Sequence, residues 1–317
     1  MLAPLQIGET TFDFAKPYVM GIINLTPDSF SDQERYFKPK GCFKIASGKT
    51  REHECTEFSP LNKHVNASSN AASRYFETDS TKALKQIEKL IIEGADIIDI
   101  GAESTRPGAP AVSAEEEIQR LKPVLEVYKK HFNTPLSLDT TKCQVAKFGL
   151  DLGVDLINDI SGLKFEPELA KVVASYNSAI ILMHTKGTPQ TMQIAPTYDS
   201  VVDEVMNELD EAIEKATSAG IKKIIIDPGI GFGKTLEHNL TILNQINKFL
   251  SLNCPILIGT SRKSFLGQIT GSSVAEREAE TISSVVCAYL KGAHFFRVHD
   301  VKLVKKALLV AESINSI

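Results

Sequence analysis

Eight short apolar runs, each followed by a longer stretch with amphipathic helical spacing, constrain this chain more than any other feature. They are Tyr18–Asn24 (YVMGIIN), Ala95–Gly101 (ADIIDIG), Pro135–Asp139 (PLSLD), Val154–Asn158 (VDLIN), Ala179–His184 (AIILMH), Lys222–Asp227 (KKIIID), Pro255–Thr260 (PILIGT) and Ala293–His299 (AHFFRVH). Near-continuous apolar runs suit strands buried on both faces, and helices between them imply a parallel sheet with crossover helices. Eight such units close a barrel, so the expected fold class is α/β, a (β/α)8 TIM barrel. The helical segments carry their own signals. Asp199–Ala219 places Val202, Val205, Met206, Leu209, Ala212, Ile213 and Ala216 at three- and four-residue spacing and is followed by Gly220, a C-terminal stop. Ser113 with Glu116 three residues on predicts a capping box opening a helix over Ser113–Lys130.

Two segments stand outside the repeating pattern. Leu5–Phe14 (LQIGETTFDF) predicts an N-terminal β-hairpin turned at Gly8-Glu9 and capping the bottom of the barrel. Residues 33–78 show no clear period, far beyond an ordinary connection, and predict a long insertion in the first βα loop. The tripeptide Arg-Tyr-Phe occurs at 35–37 and again at 74–76, as if a shorter loop had been extended. Cys42, His53, Cys55 and His64 fall inside it, but their spacing matches no usual zinc-ligand pair. With 317 residues, a single barrel domain spanning 1–317 accommodates the chain once that insertion is set aside.

Composition removes several classes of function. Thirty-five basic against 39 acidic side chains give a net charge of −4, with no basic excess for phosphate backbones, so no nucleic-acid partner is expected. No apolar run approaches the roughly 20 residues of a membrane span. The five cysteines are odd in number and dispersed, and the N-terminus has neither signal-peptide nor transit-peptide pattern; both make the cytoplasm the default compartment.

In such barrels the ligand lies on the loops at the strands' C-terminal ends. Those ends carry Asn24, Glu103 to Pro107, Asp139, Asn158, His184, Asp227, Ser261 to Ser264, and Arg297 with His299. One polar residue at a strand end is ordinary, since such ends are wet. A whole ring of them predicts a site for a polar ligand. The glycine-rich stretch Gly229–Thr235 (GIGFGKT) is not a P-loop, because Pro228 stands where the first glycine belongs, and Lys234 breaks the dinucleotide fingerprint.

Eight ordered motifs, MGIINLTPDSFSD (20–32), GADIIDIGAESTRPGA (94–109), SLDT (137–140), INDISG (157–162), LMH (182–184), DPGIGFGK (227–234), GTSRKSFLG (259–267) and RVHDV (297–301), resemble those of the dihydropteroate synthases, pterin-binding barrel enzymes. The resemblance implies condensation of 7,8-dihydropterin-6-ylmethyl diphosphate with 4-aminobenzoate, giving 7,8-dihydropteroate and pyrophosphate. It implies a pterin pocket of Asp139, Asn158, Met183, Asp227 and Lys263, in which a buried carboxylate accepts the paired N–H groups of the pterin edge. It implies Asn24, Arg297 and His299 at the diphosphate, with Asn24 also toward Mg²⁺, and Thr105, Arg106, Pro107, Phe232 and Ser264 around the 4-aminobenzoate. Lys263, Asp139, Arg297 and His299 are the residues expected to carry catalysis. No general base is expected, since an aromatic amine is already neutral, and His184 is expected to pack at its strand end. A homodimer is implied, with Ala275–Lys291 or Val301–Ser313 as candidate surfaces. The alternatives are a methyltetrahydrofolate-dependent methyltransferase and a non-catalytic pterin-binding protein. Gln33 and Glu34 replace the glycines usual after SFSD, so the insertion is expected to alter discrimination between 4-aminobenzoate and its sulfonamide mimics.

Overall fold

The computed structural model describes residues 2–26, 71–105 and 108–316, with backbone alone over 71–79. Strands β1 (Leu5–Ile7) and β2 (Thr10–Phe12) form the expected antiparallel hairpin. The barrel strands are β3 (Tyr18–Asn24), β4 (Ile97–Gly101), β5 (Leu136–Asp139), β6 (Leu156–Asp159), β7 (Ala179–Met183), β8 (Ile224–Asp227), β9 (Leu257–Ile258) and β10 (Phe295–Val298). Among them run helices α1 (Ala71–Ile92), α2 (Ala114–His131), α3 (Cys143–Asp151), α4 (Leu169–Ser175), α5 (Val201–Ser218), α6 (Leu236–Asn244), α7 (Ser264–Thr270), α8 (Glu278–Leu290) and α9 (Val301–Asn315).

The sheet order is β8-β7-β6-β5-β4-β3-β10-β9, parallel throughout. A single bridge between Ile226 and Ile256 joins its two edges. β9 is the element that departs most from expectation, two residues instead of the six of Pro255–Thr260. Pro255 has no N–H to give the ladder, and Thr260 turns away to accept a hydrogen bond from the Ser284 hydroxyl at 2.8 Å.

Side chains on alternate strand positions divide two cores. Outward residues such as Val19, Ile98, Leu138, Ile157, Ile180, Ile226 and Phe296 pack under the helices. Inward residues near the strands' N-terminal ends, among them Tyr18, Ile97, Leu156, Ile225 and Phe295, meet Leu5, Ile7 and Phe12 of the hairpin, which plugs that end of the barrel. α5 buries Val202, Val205, Leu209, Ala212 and Ala216, and Gly220 follows it at a φ of 99°. α2 is capped by Ser113, which accepts the Glu116 N–H at 3.2 Å, but only half of the capping box forms. The Glu116 carboxylate takes Arg120 at 2.5 Å, a charged partner that outcompetes the backbone amide. α1 begins at Ala71 and so occupies part of the stretch read as an aperiodic insertion over 33–78. Ala71, Ala72, Arg74 and Glu77 there are good helix formers, a signal that hydrophobic period alone does not register. The rest of that stretch, with Cys42, His53, Cys55 and His64, lies outside the described residues.

Candidate active site

Inward positions at the strands' C-terminal ends turn from apolar to charged within two residues. Parallel register sets Asn24 beside Gly101, Gly101 beside Asp139, and Asp139 beside Asn158, while Met183 pairs with Asp227. Gly101 leaves room for its neighbour, since a β-carbon there would lie 3.3 Å from the Asp139 β-carbon.

Arg297 is the electrostatic hub. Its Nε donates to Asp99 at 2.5 Å and its Nη2 to Asp139 at 2.9 Å. Asp99 is fully buried and also accepts the Ser137 hydroxyl at 2.6 Å and the Asn158 amide at 3.3 Å. This network ties β4, β5, β6 and β10 together across the barrel. Burial pushes the Asp139 carboxyl above its usual range against the pull of Arg297, and Asp99 adds to the rise. Strand ends alone do not reveal Asp99 and Ser137. The signal was present in the alternation of IIDIG, where Asp99 occupies an inward position two before Gly101.

Across the mouth, Asp227 is buried and accepts the Gly229 N–H at 2.7 Å. Burial raises its carboxyl, while Lys263 opposes the rise. Gly229 has φ 71°, and a β-carbon there would lie 1.8 Å from the His184 carbonyl, so no other residue fits that turn. Lys263 immediately precedes α7; its ammonium donates to the Ile230 carbonyl and stands 4.8 Å above the Phe232 ring. Burial lowers its pKa to about 8, against the attraction of Asp227.

Of the expected residues, Asp139, Asn158, Met183, Asp227, Lys263 and Arg297 occupy this one mouth. Asn24 and His299 end adjacent strands, His299 sharing a 2.9 Å hydrogen bond with Ser261. Phe232 joins them through Lys263, whereas Ser264 is exposed at the start of α7. Thr105 is half-buried on the loop after β4, and Arg106 and Pro107 lie outside the described residues.

Two supporting clusters flank the mouth. Glu103 accepts the Val112 N–H at 2.9 Å and Lys142 at 2.6 Å, and Lys142 also holds the buried Glu117 at 2.7 Å, fastening the loop after β4 to its own helix. His184 packs as expected, buried, with Lys234 2.8 Å from its Nδ1 and Glu208 3.3 Å from its Nε2. Burial, reinforced by Lys234, lowers the imidazole to about 4 and keeps it neutral.

A buried carboxylate facing an ammonium, beside an arginine held between two more carboxylates, is the arrangement expected of a pterin pocket. The model of the pterin binding enzyme family matches residues 63–299. The chain belongs to that family. Dihydropteroate synthase of Escherichia coli K12 is 39% identical over 306 residues, covering 96% of this chain and 94% of the relative. The crystal structure of Yersinia pestis dihydropteroate synthase with a sulfonamide drug complex superposes with a TM-score of 0.81 at 34% identity, over 99% of this chain and 100% of that one. The Xanthomonas albilineans dihydropteroate synthase with 4-aminobenzoic acid gives 0.80 at 33% identity, over 100% of both chains. Family membership and the barrel architecture both agree with the sequence reading.

Proposed function

We infer that this protein is a dihydropteroate synthase, joining 7,8-dihydropterin-6-ylmethyl diphosphate to 4-aminobenzoate with release of pyrophosphate. The observation that carries the reading is the buried Asp227 carboxylate at the mouth, facing Lys263 and sharing the pocket with Asn158 and Met183. Such a carboxylate accepts two adjacent N–H groups of a pterin edge, an arrangement worth far more inside a water-excluded pocket than in solvent. In this reading Arg297 and His299 supply the cationic and hydrogen-bonding groups that assist departure of the diphosphate. The amine nitrogen attacks the pterin methylene carbon as the C–O bond to the diphosphate breaks, and the amine proton passes to solvent. Positioning and charge stabilisation suffice, because the neutral amine needs no strong base.

Asn24 offers one neutral oxygen, and no cluster of three or more His, Cys, Asp or Glu able to hold a metal occurs among the described residues. That donor set fits Mg²⁺, which keeps its waters and is held largely by substrate phosphates. When bound, the cation neutralises charge on the departing diphosphate. The test is incubation with both substrates and Mg²⁺, with pyrophosphate and dihydropteroate measured together. Pyrophosphate release independent of 4-aminobenzoate would overturn the reading.

We further propose a homodimer, for which exposed Leu290 of α8 and Leu309, Val310 and Ile314 of α9 supply an apolar face. Sedimentation at micromolar concentration tests it; a monomer refutes it. No helix among the described residues is long and apolar enough to cross a membrane.

A further inference from the structure

The turn that carries Phe232 is held in an unusual way. Four consecutive backbone carbonyls are each taken by a side chain: Ile230 by Lys263, Gly231 by Gln193 at 2.7 Å, Phe232 by Lys234 at 3.1 Å, and Gly233 by Tyr198 at 2.8 Å. The donors come from three places, the segment after β7, the residue that directly follows the turn ahead of α6, and the residue before α7. Two amides are fixed as well, Gly231 by the Asn239 side chain at 2.7 Å and Phe232 by the Gly229 carbonyl at 3.1 Å. Gly229, Gly231 and Gly233 all have positive φ, so the turn has little stiffness of its own. Tyr198 is itself braced, with Lys186 4.0 Å over its ring and His238 edge-on at 4.9 Å.

Gln193 and Tyr198 reach the turn from the segment after β7, and Lys234, though drawn toward Asp227, is anchored at His184. Lys263 is the donor that both attracts Asp227 and stands over the Phe232 ring with its ammonium. When a ligand draws that ammonium away from Ile230, the other three bonds still define the turn. We propose that Gln193, Tyr198 and Lys234 are positioning residues that keep the 230–233 turn, and with it the Phe232 ring, in shape for the aromatic amine. This rests on the reading of Phe232 as part of the 4-aminobenzoate site. A turn already ordered loses less entropy when the substrate arrives, so the effect belongs in the affinity for the amine and not in that for the pterin.

Gln193 is exposed and Tyr198 half-buried, so Gln193→Ala, Tyr198→Phe and the double variant are expected to fold, whereas replacing the buried Lys234 endangers the core. In the full-length protein we expect the double variant to raise the KM for 4-aminobenzoate about tenfold, the effect of two lost hydrogen bonds, with the KM for the pterin diphosphate within about twofold. Amide hydrogen exchange should accelerate over residues 228–235 and stay unchanged in the barrel strands. Unaltered exchange over 228–235, or equal rises in both KM values, would overturn the proposal. Wild-type protein whose rate does not depend on 4-aminobenzoate would refute the proposed function instead, leaving the exchange result to judge the turn.

Discussion

The two ends of the barrel are made by the same strands and obey opposite rules. At the N-terminal end, Phe12, Tyr18 and Phe295 stack with ring centroids 4.8 to 5.5 Å apart. At the C-terminal end, Asp99, Asp139, Asp227, Lys263 and Arg297 crowd into the mouth. Two residues of strand separate the regimes, as in Phe295 and Arg297, Leu156 and Asn158, or Ile225 and Asp227. Burying apolar rings stabilises the fold, whereas burying charges costs stability that the apolar end offsets. Cohesion and chemistry therefore reside at opposite ends, and variants at one end should leave the other nearly untouched.

The largest effect that would break this division is at the plug. Phe12→Ala should destabilise the protein by about 3–5 kcal/mol, the usual result of emptying a fully buried aromatic site. Urea unfolding reads that loss, while the folded enzyme's kcat/KM should match wild type; a coupled fall in both would show the two ends communicate. At the mouth the reverse holds. Asp227→Asn, and separately Lys263→Ala, should each lower turnover by roughly a hundredfold, the scale of one preorganised charged contact, without loss of urea stability. Near-native pyrophosphate release in either variant would remove that residue from the site.

Titration sharpens the contrast further. Lys263, lowered to about 8 by burial, loses its positive charge as pH rises through that value, so kcat/KM should fall above about 8. Its stability effect has the other sign. Between about 8 and the unperturbed 10.5 the unfolded chain binds more protons at this lysine than the folded one, so its contribution to stability rises with pH. Activity and urea stability measured at pH 7 and 9 should diverge; if they move together, Lys263 is not the titrating group. The smallest effect lies at the plug, where burial lowers His294 to about 4 from the usual 6.5. The unfolded chain then binds more protons between those values, and stability drops as pH falls through the window. His294→Gln should flatten that acid slope and leave turnover intact, as urea titrations at pH 7 and 5 would record.

Much of this division was legible in the sequence because both regimes follow the strand period. The apolar runs located all eight strands, and the polar residues ending them located the mouth. Less visible were contacts set by tertiary approach. Asp99 looks like one more strand residue until the barrel closes and points it at Arg297, whose sequence position gives no hint of a carboxylate on each side. Glu117 lies on an ordinary amphipathic helix, and only its burial against Lys142 reveals that it anchors the loop after β4. The apolar run overstates β9 because apolar character reports burial, and Ile256 is buried while contributing one bridge in place of a ladder.

That bridge sits where the barrel wall is thinnest. The strand on one side leads to Asp227 and the strand on the other to Lys263, so the two most consequential opposite charges of the pocket stand astride the least securely zipped seam. Any loosening of the cylinder is easiest there, and it would change the gap between those two charges before disturbing the rest of the ring. Their mutual attraction spans the seam, so the width of the opening between the residues proposed to hold the ligand is set at the thinnest part of the wall.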